Sequence, residues 1–149
     1  MPIQSAAVAP ANCIFCKIVV GQIPCFKVYE DDTVLAFLDI GPLVKGHTLV
    51  IPKTHYVTVM DIPPEALGAI NQRIPKITRA VLAVTGATAC HVLVNNGTEA
   101  MQSVHHLHYH ILPRSSGDTF RIPWNPGNLD KAEAFAMAQA IHNQRALLN

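Results

Sequence analysis

A chain of 149 residues, half of them hydrophobic and only 14% charged, suffices for one domain with a real core and is too apolar for a disordered segment. A formal net charge of +1 with no Lys/Arg run excludes an electrostatic nucleic-acid footprint. No apolar stretch reaches the roughly 18 residues of a membrane span, and the opening MPIQSAAVAP lacks the basic start and apolar run of a secretory signal, so residues 1–11 are expected to be a loose tail and the protein cytoplasmic.

After that tail, CIFCKIVVGQIP is a short segment closed by Gly21 and Pro24. Short β-rich runs follow at 26–30, 34–40 and 47–52, separated by the turn residues Asp31-Asp32 and Gly41-Pro42. Leu67, Ile70, Ile74, Ile77, Val81 and Val84 then recur at the spacing of an amphipathic helix. Asp61 is its expected N-cap, Pro63 and Pro64 fall in its first turn, Pro75 should kink it, and Gly86 stops it. Two more strand runs occupy 90–96 and 104–112. Residues 115–149 read as a loop-like extension ending in an Ala-rich helix from about Asp130, where Asp130 and Glu133 resemble a capping box. Three strands, a helix, two strands and a tail helix predict an α+β fold with an antiparallel sheet rather than βαβ winding.

The run HHLHYHILPR holds four of the eight histidines within six residues. On a strand, His106, His108 and His110 share one face at a spacing of roughly 6.6 Å, and Leu107, Tyr109 and Ile111 share the other. Three imidazoles in strict alternation are a poor match for an ordinary solvated face. Two chemistries remain: a metal site, or catalysis by groups that titrate near neutral pH. The preceding NNGTEAMQSV favours the second, because a loop with free N–H groups and a hydroxyl is a cradle for an oxyanion or phosphate.

The pattern N-x-G-x-x-x-x-Q-S-V-x-H-φ-H-φ-H-φ-φ resembles the signature of the histidine triad family of nucleotide-binding hydrolases, in its Hint-like branch. CIFCKIVVGQIP, VLAFLDI and GHTLVIPKTH also resemble that family's opening segments, in the same order, so the likeness covers roughly residues 12–114. It implies a histidine-triad fold, with an antiparallel sheet of about five strands, one main helix and a C-terminal helix, usually paired as a homodimer. It also implies hydrolysis of nucleoside phosphoramidates or related nucleotidyl conjugates through a covalent nucleotidyl-histidine. Alternatives are a dinucleoside polyphosphate hydrolase and a non-catalytic nucleotide-binding or scaffold protein. By the same resemblance His108 is the nucleophile, His110 assists the leaving group, and Ser103 with the backbone near Met101 and Gln102 holds the phosphate. Asn95 supports that region, Asp39 accepts from ribose hydroxyls, and Ile40 walls the purine. Two positions depart from the family pattern: Met101 stands where glycine is common, and His105 stands where an aromatic is common and is expected to pack.

Cys13-x-x-Cys16 lacks a redox context, and in the family such a pair joins two histidines around a structural zinc. The ligands implied are Cys13, Cys16, His55 and His106, with His47 the rival to His55. Cys25 and Cys90 lack ligand spacing and read as small buried hydrophobes; His91 and His142 read as surface residues.

Overall fold

In a computed structural model, residues 10–148 are described, so most of the expected N-terminal tail lies outside the described residues. The first element is a helix, α1 (Ile14–Val19), that strand and turn signals do not announce. It forms because the Cys13 side chain accepts from the Cys16 N–H as an N-cap, and it ends at Val20 before Gly21 at φ 76°. Five strands follow: β1 (Lys27–Glu30), β2 (Val34–Leu38), β3 (Thr48–Pro52), β4 (Ala89–Val94) and β5 (Tyr109–Arg114). They make one antiparallel sheet in the order β1-β2-β3-β5-β4.

Alternation sorts the core into two layers. Val34, Ala36, Val50, Leu107 and Ile111 face α2 (Pro64–Thr85) and pack on its Ile70, Ile77 and Val81. Leu35, Phe37, Leu49 and Ile51 face the other way and are covered by Phe15 of α1. Central strands β2 and β3 are thus buried on both faces, which explains their continuous apolar runs.

Three expectations need correction. Asp61 does not cap α2: its carboxylate accepts from the Thr58 N–H (3.0 Å) and hydroxyl (2.7 Å), and Pro63 holds the N-cap position. Val84, read as part of the apolar face of α2, is exposed, while Pro75 lies inside the helix. The histidine strand starts at Tyr109 rather than residue 104, because Leu107 N–H turns to the Tyr56 carbonyl (2.6 Å) instead of a ladder partner.

Beyond β5, Arg114 ties back Asp118 at 2.6 Å. Asp130 caps α3 (Lys131–His142) by accepting from Glu133 N–H (2.8 Å), as its sequence predicts. A last turn, α4 (Arg145–Leu148), follows.

Candidate active site and metal centre

The expected parity of the histidine row survives the shortened strand. His110 pairs with Leu49 and so faces α1, and His106 and His108 lie on the same side against the edge of Phe15, with ring centroids 5.8 and 5.1 Å from it. Leu107 and Ile111 pack with α2.

Burial lowers the pKa of His108, and it lowers those of His106 and His110 to about 4. These rings are therefore neutral near pH 7, and each carries one N–H whose position can be read from its partners. His108 Nδ1 lies 2.6 Å from the His106 carbonyl, which only accepts, so Nδ1 holds the hydrogen and Nε2 presents a lone pair. His47 works in the opposite sense. Leu43 N–H donates to its Nδ1 (3.2 Å), so its Nε2–H donates to His110 Nδ1 at 2.9 Å. The His110 hydrogen is thereby fixed on Nε2, a buried atom with no partner among the described residues. Asp39 Oδ2 stands 3.7 Å from His47 Nε2. A lone pair on His108 and an N–H on His110 result, with ring centroids 4.8 Å apart.

Both rings line a cavity of about 250 Å³ between α1 and the ends of β2 and β3. Its far wall is apolar, formed by Ile14, Ile18, Leu38, Ile40 and Leu49. Its polar end carries Asp39, Ser103, His108 and His110. Asp39 is half-buried and Ile40 is 87% exposed at the rim.

The loop before the row is braced internally. Gln102 is buried: its Oε1 accepts from Gly97 N–H (2.8 Å), and its Nε2 donates to the Val57 (2.7 Å) and Val104 (3.2 Å) carbonyls. The backbone N–H groups of Met101 and Gln102 are spent on the Thr98 and Gly97 carbonyls. Asn95 Nδ2 donates to the Met101 carbonyl at 3.4 Å. Between Met101 and Val104 the donors left free are the N–H and hydroxyl of Ser103 and the N–H of Val104. Gln102 and Asn95 thus brace the loop, and Ser103 is its residue that lines the cavity.

On the other side of Phe15, Cys13, Cys16, His55 and His106 point their donor atoms at a common centre. His106 Nε2–H donates to the Pro52 carbonyl (2.8 Å), which leaves Nδ1 as a ligand atom. That atom is 3.5 Å from each sulfur and 3.2 Å from His55 Nδ1, and His55 Nδ1 is 3.3 Å from Cys16 Sγ. A tetrahedral zinc with its usual bond lengths would hold N···S edges near ~3.5 Å and N···N edges near ~3.3 Å, so the donor set fits the ion. His55 fills this position and His47 does not. Burial, with Cys13 beside it, pushes the Cys16 thiol up to about 12, and a cation in the cluster would reverse that shift.

Other residues fall differently from expectation. His105 is exposed rather than packed, Cys25 and Cys90 are half-buried, and Cys25 lines the cavity wall. His91 is half-buried and engaged by Arg114 at 3.3 Å, whereas His142 is exposed, as expected. Phe15 and the bracing role of His47 were not legible beforehand; His47 meets a partner 63 residues away, and no local spacing encodes that.

Residues 20–117 match the HIT domain family. The chain belongs to the histidine triad family. Within that family, adenylylsulfatase HINT3 of Arabidopsis thaliana is 46% identical over 107 residues, a match that spans 72% of this chain and only 54% of that relative. Adenosine 5'-monophosphoramidase hnt1 of Schizosaccharomyces pombe is 39% identical over 134 residues, spanning 89% of this chain and 98% of that one. A zinc-bound histidine triad protein from Mycobacterium smegmatis superposes with a TM-score of 0.71 at 37% identity, covering 93% of this chain and 98% of that one. The five-stranded antiparallel α+β architecture is the fold shared with such structures. Among the described residues no helix is long and apolar enough to cross a membrane.

Proposed function

We propose that this histidine triad protein hydrolyses purine nucleoside phosphoramidates or related nucleotidyl conjugates through a nucleotide linked to His108. The observation that carries the reading is the hydrogen bond from His108 Nδ1 to the His106 carbonyl, which leaves an uncharged Nε2 lone pair at the polar end of the cavity. In the first step Nε2 forms a bond to the α-phosphorus and the bond from phosphorus to the leaving nitrogen breaks. His110, neutral in the pattern that His47 sets, donates its Nε2–H in a hydrogen bond to the departing nitrogen, which takes up a proton from solvent as it leaves. In the second step water attacks phosphorus, the His108–phosphorus bond breaks, and the water's proton is released to solvent. Nucleoside monophosphate and amine are the products.

The remaining roles follow from position. Ser103 donates to phosphate oxygens from its N–H and hydroxyl. Asp39 accepts from ribose, and Ile40 with the apolar wall takes the base. Met101, Gln102 and Asn95 hold the loop that presents Ser103. The Cys13, Cys16, His55 and His106 set holds a structural zinc, which ties α1 to the row and keeps Phe15 behind His108. Four free cysteines suit the cytoplasm, where thiols stay reduced. The open edge of β4, with Val92 exposed, suits pairing with a second copy as a homodimer. A nitrogen leaving group is proposed ahead of an anhydride by analogy with the phosphoramidase relative, which this chain matches over 98% of that protein's length.

The test is incubation with adenosine 5'-phosphoramidate and with a diadenosine polyphosphate, followed by denaturing capture of protein-bound adenylate. Wild type should form the adduct and turn over the phosphoramidate faster. His108→Ala should lose both while still binding the nucleotide. Undiminished turnover in that variant would sink the reading.

A further inference from the structure

Met101 is the only non-glycine residue with a positive φ among the described residues, at 65°. Four hydrogen bonds hold it there. Its N–H donates to the Thr98 carbonyl (2.9 Å), and its carbonyl accepts from Asn95 Nδ2 (3.4 Å). On either side, Gln102 N–H donates to the Gly97 carbonyl (3.0 Å), and Gly97 N–H donates to Gln102 Oε1 (2.8 Å). Glycine would adopt this conformation without opposition, so the loop carries a side chain where the backbone alone would be better served by none. That side chain is not used for packing. Met101 is 80% exposed, and it stands two residues before Ser103, which lines the cavity beside His108 and His110.

An in-line displacement puts the leaving group opposite His108 Nε2 across phosphorus. The nucleoside takes the apolar cavity, and the phosphate oxygens take Ser103. On the hydrolase reading above, the leaving group is left with the solvent side of the Gly97–Ser103 loop, whose one large apolar side chain is the exposed Met101. A thioether on a flexible stem makes no strong hydrogen bond but packs well on alkyl and aromatic surfaces.

We propose that Met101 is a specificity determinant for the leaving group, favouring nucleotidyl conjugates whose amine carries an apolar or aromatic portion over those that release ammonia. The proposal rests on the hydrolase reading above and adds to it the chemical class of the second half of the substrate.

The experiment measures kcat/KM for two substrates, adenosine 5'-phosphoramidate and the adenosine phosphoramidate of phenethylamine, in wild type, Met101→Gly and Met101→Leu. The quantity read is the ratio of the two kcat/KM values, aromatic over unsubstituted. It should fall about two- to tenfold in Met101→Gly, the range expected for a lost contact between methionine and an aromatic ring, and should return most of the way in Met101→Leu. Glycine suits the positive φ, so Met101→Gly should melt no lower than wild type, which separates a lost contact from a lost fold. A ratio that stays constant while both values move together would overturn the assignment and make Met101 a loop residue only. Wild-type failure on both substrates would instead overturn the hydrolase reading, and the role of Met101 with it.

Discussion

Two imidazoles in one cavity are set to opposite hydrogen-bonding roles by groups that do not line that cavity. The His106 carbonyl accepts from His108 and makes Nε2 a lone pair; His47 donates to His110 and makes its Nε2 an N–H. Position alone would not separate them, since both rings are neutral and their centroids lie 4.8 Å apart. In the proposed reaction His47 is therefore a positioning residue, itself oriented by Leu43 N–H. Its loss should show in the chemical step rather than in binding. His47→Leu should lower kcat by about 10- to 100-fold, the range typical when a supporting hydrogen bond to a reactive histidine is removed. KM should change by about twofold or less, and the His108 adduct should still form on a single-turnover timescale. A kcat within twofold of wild type would show that His110 finds its tautomer unaided.

The elements that the sequence makes legible are those whose signal is local. Period-two and period-3.6 patterns locate the five strands and α2, and Asp130 caps α3 as its spacing with Glu133 predicts. What stays hidden depends on distant partners. Residues 104–108 read as strand because they alternate, yet Tyr56 takes the Leu107 N–H that a ladder would need. The six residues of α1 are too few for a helix to persist on propensity, and Cys13 serves it twice, as N-cap and as a member of the Cys/His cluster. The same economy places Phe15, one residue before Cys16, against His106 and His108. If a zinc ion ties α1 to the row, its removal loosens the wall behind the nucleophile. Chelation of wild type, or Cys16→Ser, should release one metal per chain and lower Tm by about 10 °C, as a loss of about 3 kcal/mol would in a chain of this size. Activity should fall in parallel, although no ligand of the cluster reaches the cavity's polar end. Metal content from emission spectroscopy and melting curves before and after chelation check this. A melting temperature indifferent to chelator would remove the zinc from the account.

Across the whole molecule, five histidines lie within one interior region, and all five have pKa values lowered by burial. In the unfolded chain each would titrate near 6.5, whereas folded His106 and His110 titrate near 4. Between those values the unfolded state binds protons that the folded state refuses. Stability is therefore full above about pH 6.5 and is lost as pH falls toward 4. The carboxylates act in a different window. Lys27, with Lys53, holds Glu30 down to about 2, and Arg73 helps carry Asp31 below the usual carboxylate range despite its burial. Those groups lose their stabilising partners only in stronger acid. A metal on His55 and His106 would add to the loss above pH 4, because protons compete for the same ligand atoms. Urea unfolding between pH 7.5 and 4.5 should thus show a midpoint that is level above about pH 7 and drops steeply below 6. His106 and His110 together contribute at most about 2.7 kcal/mol per pH unit to that slope near pH 5. A midpoint that held steady to pH 5 and failed only near 3 would assign acid sensitivity to the carboxylates. It would also mean that the histidine cavity admits enough water to charge its rings, which would undo the tautomer pattern on which the separate roles of His108 and His110 depend.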